Sequence, residues 1–262
     1  MPKAGVEFRA VRYSLPGNKP LLRDISLSLE ANTTTALLGR SGSGKTTLLR
    51  MVNALVTPDS GQVLVEEKPG TQSKIEHLRR AIGYVIQETG LFPHMSVERN
   101  AGLALELAGR PKPEIAARAA EVLALTGLDP ALSRRYPWQL SGGQRQRVGL
   151  ARALATDPSV LLMDEPFGAL DPITRAEMQT MLKDLLTRVH KTTLLVTHDL
   201  DEALYLASRI ILLADGVVAA DLPSPEVLTS PNPHIRAYIS AVHRAVPAAP
   251  RPLAPPGSER HP

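Results

Sequence analysis

The chain has 262 residues, 43% of them apolar, enough to bury a full core as one large domain or as a domain carrying an inserted lobe. Its 30 Lys and Arg against 26 Asp and Glu leave a formal charge of +4, too small to point to nucleic acid, so no nucleic-acid partner is expected. Zero cysteines exclude disulfides and thiolate metal sites and agree with a reducing compartment.

The first ten residues, MPKAGVEFRA, lack the apolar core of a secretory signal, and no later stretch approaches the ~20 apolar residues of a membrane span. A soluble chain is expected, reaching a membrane only by docking to another protein. Val6 to Tyr13 and Ile25 to Leu29 alternate like half-exposed strands joined by the turn-rich Ser14 to Pro20, which predicts an antiparallel edge sheet. Tyr13 falls on the loop before the next strand, where its ring can stack an adenine or simply pack. Thr34 to Leu38 reads as a buried strand and Thr46 to Asn53 as a helix. Between them Gly39, Arg40, Ser41, Gly42, Ser43, Gly44, Lys45 and Thr46 fit GxxxxGK[ST]. The amides of such a loop wrap phosphates, while its lysine and hydroxyl serve the terminal phosphates and magnesium. Thr47, next in the helix, joins the binding residues.

Gln62 to Val65 and Ile82 to Ile86 are further strands, the second delivering Gln87; Glu66 to Thr71 (EEKPGT) reads as a loop without functional weight. From Phe92 to Thr156 the strand signals vanish. Val97 to Ala108, Pro113 to Thr126 and Gly142 to Ala155 read as helices, broken at Gly109 to Lys112 and Gly127 to Pro130. A helical lobe, residues 92–156, is therefore expected within an α/β core of residues 1–91 and 157–240. Leu140, Ser141, Gly142, Gly143 and Gln144 spell LSGGQ. A serine hydroxyl and two glycine amides at a helix start form an anion-binding end. Because the chain already owns one phosphate grip, two copies are expected to share each nucleotide.

Val160 to Met163 ends in Asp164 and Glu165, two carboxylates at the carboxyl end of a buried strand, where open α/β sheets place their ligands. One can hold magnesium while its neighbour activates water. Thr193 to Thr197 delivers His198 to the same edge, and Arg209 to Leu213 with Val217 to Asp221 form a closing hairpin over Ala214, Asp215 and Gly216. Strands that are apolar throughout, separated by helices, indicate a mainly parallel sheet covered on both faces. After Val242 the composition turns to Ala, Pro and Arg, and residues 241–262 are expected to be a disordered tail.

Taken in order, Gly39 to Thr46, Gln87, LSGGQ at 140–144, LLMDE at 161–165, Ala169 to Asp171 and His198 resemble the motif set of an ATP-binding cassette ATPase. The resemblance implies a P-loop, RecA-like α/β core with an antiparallel edge sheet and an inserted α-helical subdomain, binding ATP and Mg2+. It implies that Lys45 neutralises the β and γ phosphates, that Thr46 and Gln87 hold magnesium with Asp164 helping through water, and that Glu165 is the general base. His198 would contact the γ phosphate, and Ser141 and Gly143 would reach the nucleotide of a second copy in a head-to-tail dimer. Such sites work by positioning and charge neutralisation.

A narrower resemblance lies in QETGLFPHMSVERN (Gln87 to Asn100), RYPWQLSGGQRQRVGLARALATDP (Arg135 to Pro158), MDEPFGALDPITR (Met163 to Arg175) and MVNAL (Met51 to Leu55). These are similar to the ATPase subunits of bacterial osmoprotectant importers, which take up glycine betaine, choline or carnitine. The implied partners are transmembrane permease subunits and, indirectly, a solute-binding protein. The implied location is peripheral, on the cytoplasmic face of the inner membrane. Import of another small solute such as an amino acid is the alternative, followed by a soluble cassette ATPase acting on DNA or ribosomes. Many such subunits carry a regulatory tandem domain where this chain has a proline-rich segment, so sensing by that module is not expected.

Overall fold

A computed structural model of the chain describes residues 4–66, 68–69 and 75–243. Apolar alternation carries β1 (Ala4–Leu15) and β2 (Lys19–Glu30) through the expected connection, so that Ser14 pairs with Pro20 and Leu15 with Lys19. Gly17 and Asn18 both take positive φ, 83° and 57°, which closes the turn in three residues instead of seven. β4 (Ser60–Val65) pairs with the other edge of β1, and β5 (Lys68–Pro69), inside the expected EEKPGT loop, pairs with β4. The result is an antiparallel sheet in the order β2-β1-β4-β5.

The second sheet contains β3 (Thr34–Leu38), β6 (Ile82–Val85), β7 (Val160–Asp164), β8 (Thr192–Thr197), β9 (Arg209–Ala214) and β10 (Val217–Pro223). Its order is β10-β9-β3-β8-β7-β6, parallel except for the β9–β10 hairpin, which turns over Asp215 and Gly216, both at positive φ. Every residue of β7 and β8 is buried, as expected of strands covered on both faces. On one face Leu162, Leu194 and Val196 pack with Phe8 and Ile25 of the antiparallel sheet and with Leu48 and Leu49 of α1 (Lys45–Val52). On the other, Leu161, Met163 and Leu195 pack with a helical cluster that includes Val97, Val122 and Val148.

Those three valines belong to α3 (Val97–Leu107), α4 (Lys112–Leu125) and α5 (Gly142–Leu154), which pack on one another while α5 also lies against β6. α2 (Ile75–Arg80) precedes β6. α2 and three further helices, α6 (Pro172–Val189), α7 (Leu200–Leu206) and α8 (Pro233–His243), escape the sequence reading. α6 buries only Met178, Leu182 and Leu185 along 18 residues, too thin a stripe to stand out. α8 runs through residue 240, so the boundary expected there falls inside a helix; the rest of the expected tail, 244–262, lies outside the described residues.

Candidate active site

The loop from β3 to α1 is pressed between two neighbours. A Cβ at Gly39 would collide with the Leu213 carbonyl oxygen, and one at Gly44, where φ is 100°, would come within 2.6 Å of Leu22 Cδ2. Glycine at both positions is thus dictated by close packing as well as by backbone angle. Gly44 is also the N-cap of α1 and has no side chain to bond the first-turn amides, leaving them and the helix dipole for an anion. Lys45, 5% exposed, donates from Nζ to the carbonyl oxygens of Gly39 at 2.8 Å and Arg40 at 3.0 Å, bridging the loop from inside. Burial holds its pKa below the ordinary lysine value, against the opposing pull of Glu165 and Asp164.

Thr46 Oγ1 donates to Asp164 Oδ1 at 2.8 Å, and Thr47 follows half-buried in the same turn. Asp164 is 3% exposed; its other oxygen accepts from the Tyr84 hydroxyl at 3.4 Å and lies 4.0 Å from the Arg50 guanidinium. The parallel register that sets Asp164 beside Val196 brings the ends of β7 and β8 together. Glu165 consequently donates its N–H to Val196 O at 2.9 Å, and its Oε2 lies 3.3 Å from His198 Nδ1. Glu165 holds φ at 46°, a left-handed conformation that non-glycine residues adopt mainly where surrounding structure imposes it. The His198 side chain is 62% exposed. Together with Arg40, Ser41 and Tyr238, Glu165 and His198 line a cavity of about 440 Å³. A larger one, about 910 Å³, opens beside Arg40 to Ser43, walled by Leu15, Pro20 and Leu21.

The structure therefore gathers Lys45, Thr46, Asp164, Glu165 and His198 around one loop and one sheet edge. Tyr13 is corrected in position: β1 continues to Leu15, so the ring sits half-buried on a strand opposite Leu22, packed into the core cluster and absent from the walls of either cavity. Gln87 is exposed on the turn after β6. That turn is fastened by Arg152 of α5, whose guanidinium donates to the carbonyl oxygens of Thr89 and Gly90, each at 2.7 Å.

Ser141 to Gln144 lie on a separate element and line neither cavity. Ser141 caps α5: its Oγ accepts from Gln144 N at 3.2 Å, while Gln144 Oε1 accepts from Ser141 N at 2.9 Å. This is a capping box, and it commits the amide oxygen of Gln144, expected among the nucleotide-binding residues, to the helix itself. Gly142 and Gly143 pack against Leu170 and Thr174, where a Cβ on Gly143 would come within 2.7 Å of Thr174 Cγ2.

Sequence reasoning missed Tyr84, Arg50, Arg152, Glu202 and Tyr238. Asp199 to Glu202 had a usable signal, the D-x-x-E of a helix start: Asp199 Oδ1 accepts from the amides of Asp201 and Glu202. Glu202 is nonetheless 5% exposed. Burial first, then the charge of Asp199, pushes its carboxyl up to about 8 despite Thr197 and Arg175.

The chemistry of the donor set fits magnesium. A hydroxyl and a carboxylate are hard oxygen donors, and Mg2+ takes only one or two such groups while phosphate and water complete its shell. Among the described residues no three His, Cys, Asp or Glu gather as a metal cage.

The family model described as ABC transporter matches residues 22–168, more than half of the chain. The chain belongs to the ABC transporter family. The choline transport ATP-binding protein of Bacillus subtilis (strain 168) is 44% identical over 222 residues, 84% of this chain and 58% of that protein. The glycine betaine uptake system ATP-binding protein of Escherichia coli (strain K12) is 44% identical over 238 residues, 89% of this chain and 76% of that one. A sulfate/thiosulfate import ATP-binding protein of Nocardia farcinica is 45% identical over 229 residues, 87% and 68% respectively. Among solved structures, a dimeric ATP-binding cassette in a post-hydrolysis state bound to ADP and Pi superposes with a TM-score of 0.75 at 32% identity, covering 84% of this chain and 98% of that one. The ABC fold is thus shared across nearly the whole of that cassette, while this chain spans less than two thirds of the length of the choline transporter protein.

Proposed function

We propose that the chain is the ATP-hydrolysing subunit of an ABC importer for a small osmoprotectant quaternary amine such as glycine betaine, choline or carnitine. The observation that carries the ATPase part is the meeting of Lys45, Thr46, Asp164 and Glu165 around a glycine-bound anion loop, with His198 3.3 Å from Glu165. Lys45 exchanges its loop carbonyls for β and γ phosphate oxygens. Thr46 and Gln87, with Asp164 behind them, hold magnesium, which when bound neutralises phosphate charge. As a water oxygen attacks the γ phosphorus and the bond to the ADP oxygen breaks, Glu165 takes the proton that the water releases. His198 steadies the γ phosphate oxygens.

Ser141 and Gly143 complete the site of a second copy in a head-to-tail dimer, a reading supported by the dimeric cassette structure and by their absence from the walls of the two cavities beside the phosphate loop. Residues 92–156 form the inserted lobe and, through the segment after Gln87, meet the permease on the cytoplasmic face of the membrane. No helix among the described residues is long and apolar enough to cross a membrane. A solute-binding protein would choose the cargo. The quaternary-amine reading rests on the choline and glycine betaine relatives; the sulfate relative at 45% identity keeps import of another small solute as the second reading.

The test is magnesium-dependent ATP turnover in Glu165→Gln. Hydrolysis should fall at least about a hundredfold with ATP binding retained. Turnover equal to the parent would sink the assignment of the base.

A further inference from the structure

α8 returns from the β9–β10 hairpin to the edge where β7 and β8 end. Its start is tied down by Asn232, whose Oδ1 accepts from His234 N at 2.9 Å and Ile235 N at 3.3 Å, and whose Nδ2 donates to Ala219 O of β10 at 3.1 Å. Ile235 is buried in the same cluster as Ala36 and Leu38 of β3. The helix is therefore fixed to the sheet at its first turn. One turn further on, the Tyr238 hydroxyl donates to the backbone carbonyl of His198 at 2.6 Å, and the same residue lines the cavity of about 440 Å³ with Arg40, Ser41, Glu165 and His198.

We propose that Tyr238 is a positioning residue for His198: from a helix anchored on the opposite hairpin, it holds the His198 peptide so that the imidazole stands at the cavity shared with Glu165 and the tip of the phosphate loop. The inference rests on the reading of this site as an ATPase. His198 needs such a hold because its side chain is largely exposed and leans on Glu165 at 3.3 Å. On its carboxyl side the chain is already braced, Asp199 donating its N–H to Thr197 Oγ1 at 3.0 Å and capping α7. Tyr238 supplies the restraint on the carbonyl. Burial, aided by the charge of Asp199, pushes the phenol up to about 12, so it remains a donor throughout the neutral range. Geometry matters because a misplacement of about 1 Å in a reacting group can cost on the order of a hundredfold in rate.

The experiment is single-turnover and steady-state ATP hydrolysis by the full chain with Mg2+, comparing the parent with Tyr238→Phe, His198→Ala and the double variant. Phenylalanine keeps the ring and its packing and removes only the hydroxyl. Tyr238→Phe should lower kcat about three- to tenfold with KM for ATP within about twofold, and the double variant should be no slower than His198→Ala alone. Parent-like kcat in Tyr238→Phe, or the same fold loss in the His198→Ala background, overturns the inference. A parent chain that does not hydrolyse ATP overturns the ATPase reading itself and this inference with it.

Discussion

Glu202 sits at the start of α7, four residues after His198, with Oε1 buried and without a hydrogen-bond partner among the described residues. A carboxyl so placed keeps its proton. Between the ordinary value of 4.5 and the folded value of about 8, the unfolded chain has released that proton and the folded chain retains it. Stability therefore falls as pH rises across this window and is flat above it. Glu202→Gln preserves the shape of the neutral acid and removes the titration. It should raise the thermal midpoint by several degrees at pH 8, at about 2–4 °C per kcal/mol, with little gain at pH 5. Equal gains at the two pH values, measured by thermal unfolding, would rule out titration as the cause. Lys45 shows the same contest between burial and charge: it is desolvated yet stays beside two carboxylates.

At the scale of elements, the start of α5 is a self-contained cap, which separates two roles that LSGGQ combines. Gln144→Glu keeps an acceptor at the third helical position and should leave stability within ~0.5 kcal/mol, whereas Gln144→Ala should lose about 0.5–2 kcal/mol, read by urea unfolding. An Ala variant as stable as the parent would mean that the cap contributes nothing. The strands of the core were legible because burial on both faces writes them as apolar runs, as in Val160 to Met163 and Thr193 to Thr197. The gathering of Thr46 and Asp164, 118 residues apart, was legible only through motif order, since no local pattern records a contact of that range. α6 was not legible, because its buried face is narrow and what it covers is decided by tertiary packing; α8 did carry a readable stripe, Ile235, Tyr238 and Ile239, next to a segment whose Ala and Pro content drew the eye instead. The contact of Tyr238 was hidden because its partner lies 40 residues away on another element. Tyr13 was misplaced because a turn of three residues was read as a loop of seven, a matter of two left-handed backbone positions, Gly17 and Asn18.

For the whole molecule, the proposed half-site at Ser141 would have no use without a second copy, so the rate law should report the assembly. At concentrations where the chain is monomeric, ATP turnover should rise with about the square of protein concentration, and ATP should drive Glu165→Gln into dimers detectable by sedimentation. Turnover strictly proportional to concentration in that range would count against a shared site.

Arg152 gives that assembly a further property. From Ser141 to Arg152 the helix spans eleven residues, about 16 Å at 1.5 Å per residue, and its far end grips the carbonyls of Thr89 and Gly90 at 2.7 Å. Two charged hydrogen bonds of about 1.5–3 kcal/mol each leave little slack between helix and turn. In the proposed dimer, a nucleotide held by one copy would thus tug on the Gln87 turn of the other. Each subunit would learn its neighbour's occupancy through a stiff pushrod, and the two ATP molecules would be timed against each other by one helix.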